Sequence, residues 1–160
     1  YKIPNYHFPM LNDQPRNSAF KAAIAAACLQ GTCPEQKQTP KPLRVLDIGS
    51  ASGLLSMMAK QCLGSEGCIT AFEADEVLSD VCEEVLQANE MPSCIELVKA
   101  WSHQLPEVPI GQRANLMVME IFGDDPLSEG VLRTIAHARL SLLCPQAIVL
   151  PAQLHVHGIL

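Results

Sequence analysis

The chain has 160 residues, 48% of them hydrophobic and 18% charged, which suits a single domain with a substantial core and leaves too little for two. It holds no low-complexity tract, no collagen period and no apolar run of bilayer-spanning length, so neither a fibrous nor a membrane-spanning protein is expected. Eleven basic residues against 17 acidic ones, a formal net charge of −6, argue against direct nucleic-acid binding, which usually needs a basic stripe.

The acids are unevenly placed. Between Lys60 and Lys99 there is no Lys or Arg but nine Asp and Glu, which read as a solvated helix face; a second window, Glu120 to Glu129, holds four acids and no base. The seven cysteines (28, 33, 62, 68, 82, 94 and 144) are odd in number and form no C-x-x-C. Most sit in apolar runs where Cys acts as a small hydrophobe, so neither a metal site nor a disulfide framework is expected, and a reduced cytoplasmic or nuclear compartment fits. No signal peptide is expected, and Tyr1 where a methionine would stand fits a trimmed chain.

In chain order, Ser18 is placed to cap a helix through AFKAAIAAACLQ, with Gly31 as its stop. Thr32–Pro42 is polar, holds three prolines and reads as a loop. Leu43–Ile48 is a short apolar strand containing one acid, followed at once by Gly49-Ser50-Ala51-Ser52-Gly53 and an apolar helix over Leu54–Cys62. Cys68–Phe72 is a strand ending at Glu73, and Val77–Asn89 an amphipathic helix. Strands follow at Ile95–Val98 and Asn115–Met119, a helix at Leu127–Leu143, a strand at Ala147–Leu150 and the opening of another at Gln153–Leu160. Short buried strands alternating with helices give an α/β fold, a Rossmann-like parallel sheet with helices on both faces. Ligands bind such sheets outside the carboxyl ends of the strands, and the sharpest features of this sequence, at 47–53, 73 and 120–129, all follow strand ends.

Glycines after a strand let the backbone approach a ligand, and an acid ending the next strand can accept two ribose hydroxyls. A dinucleotide fingerprint would be G-x-G-x-x-G; here the spacing is G-x-A-x-G with Asp47 two residues before Gly49, the pattern of S-adenosylmethionine enzymes. A tight strand-to-helix turn would need glycine in any case, and Glu73 is what tips the balance toward a cofactor.

Four blocks together resemble the protein arginine N-methyltransferase family. They are Tyr1 with His7-Phe8-Pro9-Met10-Leu11-x-Asp13-x-x-Arg16-Asn17, Val45 through Ser56, Glu73, and Met119-Glu120-Ile121-Phe122 through Glu129-Gly130. The last is similar to that family's double-glutamate loop, the two acids nine positions apart. The resemblance implies methyl transfer from S-adenosyl-L-methionine to arginine in protein substrates, with Glu120 and Glu129 as the catalytic pair. It implies that Arg16 clamps the cofactor carboxylate, that His7 and Met10 lie on a helix closing over the cofactor, that Asp47 and Gly49 face its methionine and ribose portion, and that Gly53 belongs to the same binding loop. Glu73 would take the ribose hydroxyls, with Ser102 and His103 near the adenine. No metal is implied. A guanidinium is protonated at any ordinary pH, and two carboxylates holding it by paired hydrogen bonds would leave one terminal nitrogen free to attack.

Several positions depart from the family pattern. Ala51 replaces a glycine, His103 and Gln104 stand where a glutamate usually meets the adenine, and Ile121-Phe122 is closer to the monomethylating branch, although Gly123 lacks an acid that branch usually carries. Under this reading residues 1–31 form an N-terminal helical segment closing over the cofactor and 32–152 the Rossmann-like core. Residues 153–160 would begin a β-barrel missing here, with His155 and His157 as strand-face residues. The whole protein would act as a homodimer or a tandem-module pseudo-dimer, and this part alone would lack half its substrate groove. The alternative is a catalytically degenerate methyltransferase-like scaffold or interaction module, favoured by Ala51 and His103.

Overall fold

The computed structural model describes residues 3, 5–30, 42–64, 67–91, 93–123 and 125–158. Gly31, Cys33, Asp124, Tyr1 and most of the Thr32–Pro42 loop lie outside them.

Five strands, β1 (Arg44–Ile48), β2 (Cys68–Phe72), β3 (Ile95–Val98), β4 (Ala114–Met119) and β5 (Leu143–Leu150), form one sheet in the order β3-β2-β1-β4-β5. Every pairing is parallel, with Ile48 level with Phe72 on one side and with Met119 on the other. The chain starts at the central strand, steps outward through β2 and β3, then crosses back to β4. The switch point therefore lies between the carboxyl ends of β1 and β4, where this topology opens a crevice.

Strand parity sorts the core into two layers. Val45, Ile69, Ala71, Leu116 and Val118 pack with Ile24 and Ala27 of α2 (Gln14–Gln30), Leu55 and Ala59 of α3 (Leu54–Leu63) and Leu86 of α4 (Glu76–Ala88). Leu46, Ile48, Phe72, Met117 and Met119 face the other way, onto Val131 of α5 (Val131–His137) and onto Ala138 and Leu142 of the π-helical turn that follows it. A strand buried on both faces needs apolar residues at consecutive positions, which is why Ala114–Met119 is almost wholly apolar and wholly buried. Burying a side chain such as Ile24, fully removed from solvent, contributes about 2 kcal/mol.

Several boundaries differ from expectation, among them β5, which begins at Leu143 rather than Ala147. Ser18 lies inside α2; the cap is Asp13, whose carboxylate accepts the Arg16 N–H at 3.0 Å, and a further short helix, α1 (His7–Asn12), precedes it. The helix expected from Leu127 begins only at Val131, because Gly130 takes a left-handed φ of +71° and residues 126–129 form a turn. In that turn Asp125 Oδ1 accepts the Leu127 N–H at 3.1 Å, and its carbonyl accepts the Ser128 hydroxyl at 2.7 Å. The strand expected over 153–160 is not formed among the described residues: 152–158 carry neither helix nor strand and are exposed. Pro151, with no N–H to give a ladder, follows the last residue of β5.

Candidate active site

A cavity of about 440 Å³ opens at the carboxyl ends of the strands. Its walls come from α1 (Tyr6 just before it, His7 and Met10), the glycine loop (Gly49, Ala51), the end of β2 (Glu73 to Asp75), the end of β3 (Ala100 to Ser102) and the segment after β4 (Glu120 to Phe122, Glu129). Of the residues singled out in the sequence, His7, Met10, Gly49, Glu73, Ser102, Glu120 and Glu129 thus share one concavity.

The glycine loop is tied to the sheet before anything binds. Gly49 and Ser50 both donate their N–H to the Phe72 carbonyl at 3.0 Å. Gly49 has φ +79°, and a Cβ there would stand 2.4 Å from Ile121 Cγ2 and 3.1 Å from the Glu120 carbonyl oxygen. Only glycine lets β1 turn this close under the acid-bearing segment. Ala51 also takes a positive φ, +46°, a conformation that costs an alanine on the order of 1 kcal/mol relative to glycine.

Glu73 is buried and fixed at both oxygens. Ala51 N–H donates to Oε2 at 2.8 Å and Asp75 N–H to Oε1 at 2.9 Å. Each oxygen keeps lone-pair capacity for a second donor, so the carboxylate is oriented and still able to accept hydroxyls.

Glu120 and Glu129 are held differently. Glu120 Oε2 lies 3.4 Å from Arg16 Nη2, and Arg16 also donates to Asn17 Oδ1 at 2.8 Å and lies 5.0 Å from the centre of the Phe20 ring. Glu129 has no hydrogen-bond or ion-pair partner among the described residues. Burial lifts its carboxyl above the ordinary 4.5, and the charges of Glu120 and Glu73 lift it further, while His7 pulls the other way. Gly123 leaves space for it: a Cβ there would come within 3.2 Å of Glu129 Oε1. The Tyr6 phenol is raised too, by burial and then by Glu129, Glu120, Glu73 and Asp75. Four carboxylates thus bear on one small space, a field that favours cations.

The geometry places some of the singled-out residues off the cavity wall. Asp47 does not line the cavity. It shares strand parity with Val45, so its side chain points beneath the loop toward α3, where Ser56 Oγ donates to Oδ2 at 2.6 Å and Oδ1 has no hydrogen-bond partner among the described residues. Complete burial pushes its carboxyl up to about 6 despite that bond. Gly53 is also off the cavity; at φ +77° it begins α3, and a Cβ would meet Cys82 Sγ and Leu86 Cδ2 of α4 at 3.2 Å. His103 is off the cavity as well, in a 3-10 turn packed on α5. Its imidazole is drawn below the usual range by lost solvation, then by Arg133 and His137. Arg16 stands at the edge, paired to Glu120 rather than lining the wall. Tyr6 and Trp101 were missed; both are aromatic neighbours of residues already singled out, and that adjacency was the available signal. No group of three or more His, Cys, Asp or Glu among the described residues is arranged for a metal ion. No described helix is long and apolar enough to cross a membrane.

No family model matches the chain. It is 33% identical over 157 residues, 98% of its length, to an arginine N(omega)-methyltransferase of Streptomyces achromogenes, of which it covers 40%. It is 36% identical to protein arginine N-methyltransferase 9 of Xenopus laevis (88% of this chain, 16% of the relative) and 35% identical to protein arginine N-methyltransferase 7 of Anopheles gambiae (93% and 21%). The chain therefore spans well under half the length of the curated relatives it matches. In fold it resembles a crystal structure of PRMT6 (TM-score 0.65, 20% identity, 89% of this chain and 44% of that one). It likewise resembles the Trypanosoma brucei PRMT1 enzyme-prozyme heterotetrameric complex with AdoHcy (TM-score 0.63, 19% identity, 89% and 39%). Across nearly its whole length, this chain is a homologue of the protein arginine N-methyltransferases and corresponds to a part of each.

Proposed function

We propose that the protein carrying this chain transfers a methyl group from S-adenosyl-L-methionine to the guanidinium of arginine in protein substrates. The observation that carries this reading is that Glu120 and Glu129, on either side of a turn, open onto the same cavity as the glycine loop and the anchored Glu73. A cavity of about 440 Å³ rimmed by carboxylates fits a cationic sulfonium joined to a nucleoside better than it fits a phosphate-bearing cofactor. The arginine methyltransferases that the chain is similar to support the same chemistry.

Gly49, Glu73 and Ser102 would hold the cofactor, with His7 and Met10 of α1 above it and Arg16 within reach of its carboxylate. When bound, the cofactor supplies an electrophilic methyl on sulfur. Glu120 and Glu129 accept N–H bonds from the incoming guanidinium and draw its positive charge toward the held nitrogens. The remaining terminal nitrogen keeps more lone-pair density and is presented in line. Lysine has no second nitrogen to bridge the pair, so it is rejected. The Phe122 ring on the wall narrows the space for an already methylated guanidinium, which favours a single transfer. Further proposals are a homodimer or tandem-module assembly of the whole protein and residence in the cytoplasm or nucleus.

The test is methylation of an arginine-rich peptide by the full-length protein. Glu120→Gln and Glu129→Gln should each lower kcat by on the order of 100-fold, since each removes a charge aimed at the reacting group. Activity that survives both substitutions contradicts the assignment. A second reading, a silent scaffold with a degraded pocket, is favoured by the strained Ala51, whose position forms part of the cavity wall. Calorimetric titration with S-adenosylhomocysteine separates the two, because a dead pocket gives no saturable heat.

A further inference from the structure

The order of strands lays out the cavity rim. Trp101 follows β3, Glu73 follows β2, Gly49 follows β1 and Glu120 follows β4, and these strands are neighbours in that sequence. Adjacent strands are about 4.8 Å apart, so the rim runs about 14 Å from Trp101 to Glu120. If the sulfur sits by the two glutamates and the ribose by Glu73, the base is carried outward onto the end of β3.

At that end the indole of Trp101 is 52% exposed while forming part of the cavity wall. Ala74 and Leu78, from the segment that opens α4, supply further apolar wall of the same cavity. A large aromatic left half in water at the lip of a cavity has a free face for a planar partner. Of the two polar side chains that sequence placed near the base, Ser102 lines the cavity, while His103 is turned toward α5, its ring tilted 35° to the indole with the centroids 5.7 Å apart. It leaves no side-chain carboxylate after β3 to read the base edge.

Resting on the cofactor reading above, we propose that Trp101 is the platform on which the adenine ring stacks, and that this stacking replaces a carboxylate contact to the base. Affinity at this end of the cavity then comes from the π-face, which every purine has, more than from hydrogen bonds to one base edge. The same indole sets where the ribose meets Glu73, and so the reach of the methyl-bearing sulfur toward Glu120 and Glu129.

Trp101 is the sole tryptophan of the chain, so its emission reports this position alone. Titration with S-adenosylhomocysteine should quench that emission saturably, and adenosine, which carries only base and ribose, should quench it as well. In calorimetry Trp101→Ala should weaken S-adenosylhomocysteine binding roughly tenfold, and Trp101→Phe, which keeps an aromatic face, should retain most of the affinity. Saturable heat accompanied by unchanged emission, with undiminished affinity in Trp101→Ala, overturns the platform and leaves the cofactor site standing. Quenching by an arginine peptide but not by S-adenosylhomocysteine or adenosine assigns the ring to substrate and also overturns it. No saturable heat from the unaltered chain contradicts the cofactor site itself, and the indole's role falls with it.

Discussion

The two ends of the cavity are built on different principles. At the β2 end the carboxylate of Glu73 is locked by two backbone N–H groups, one from the glycine loop and one from the turn into α4. At the β4 end the carboxylates are placed by a glycine-bounded turn and left short of donors: Glu120 is shared with Arg16, and Glu129 has no partner among the described residues. Backbone amides pre-orient an acceptor for neutral hydroxyls, whereas two under-satisfied acids in a partly dry site are completed only by a cation. The lesson is that the same residue type, at equivalent places in one sheet, is left with a different acceptor capacity by how many donors the fold gives it.

That contrast can be broken most severely at the switch point. Gly49→Ala puts a methyl 2.4 Å from Ile121 Cγ2 in a left-handed conformation. It should destabilise the fold by about 2–3 kcal/mol and lower Tm by roughly 5–10 °C in a thermal melt. Because the displaced segment carries Glu120, arginine-peptide affinity should fall more than the affinity for S-adenosylhomocysteine.

A second test uses the raised carboxyl of Glu129. In the proposed role its charged form grips the guanidinium, and its pKa is displaced upward, so protonation sets in above the ordinary 4.5 as pH falls. The acid limb of kcat/KM should therefore lie above pH 4.5, falling about tenfold per pH unit below it, and should vanish from the residual activity of Glu129→Gln. A limb at the ordinary glutamate value or lower would show that the two ends are alike in solvation.

The smallest effect sharpens the ordered end. Ala51 holds φ +46° while donating its N–H to Glu73. Ala51→Gly should relieve the strain and stabilise the protein by about 1 kcal/mol, a rise in Tm of about 2–4 °C. It should also bind S-adenosylhomocysteine at least as tightly, because the methyl on the cavity wall is gone.

Much of this was legible in the sequence wherever a residue ended a strand. Glu73 and Glu120 each follow an apolar run, and no packing role competes for an acid there. The placement of Asp47 was not legible, because motif spacing ignores parity: in a strand buried on both faces, the residue two after Val45 shares its face and goes under α3, to Ser56. The wall at the end of β3 was only partly legible for a related reason, since the 3-10 turn over Ser102–Gln104 leaves Ser102 and Trp101 on the cavity and His103 off it, a rotation that no local spacing encodes. Helix starts were obscured at Asp13, where Pro15 and a second helix disguise the cap, and at Gly130, whose positive φ only tertiary placement reveals.

The central claim, that two carboxylates recognise a planar cation, is tested most directly by peptide binding in the presence of saturating S-adenosylhomocysteine. An arginine peptide and its lysine counterpart would be titrated against the full-length protein and against Glu129→Gln. The expected result is a preference for arginine on the order of 100-fold that collapses in the variant. Equal binding of the two peptides by the unaltered protein, or a preference untouched by losing Glu129, would contradict it.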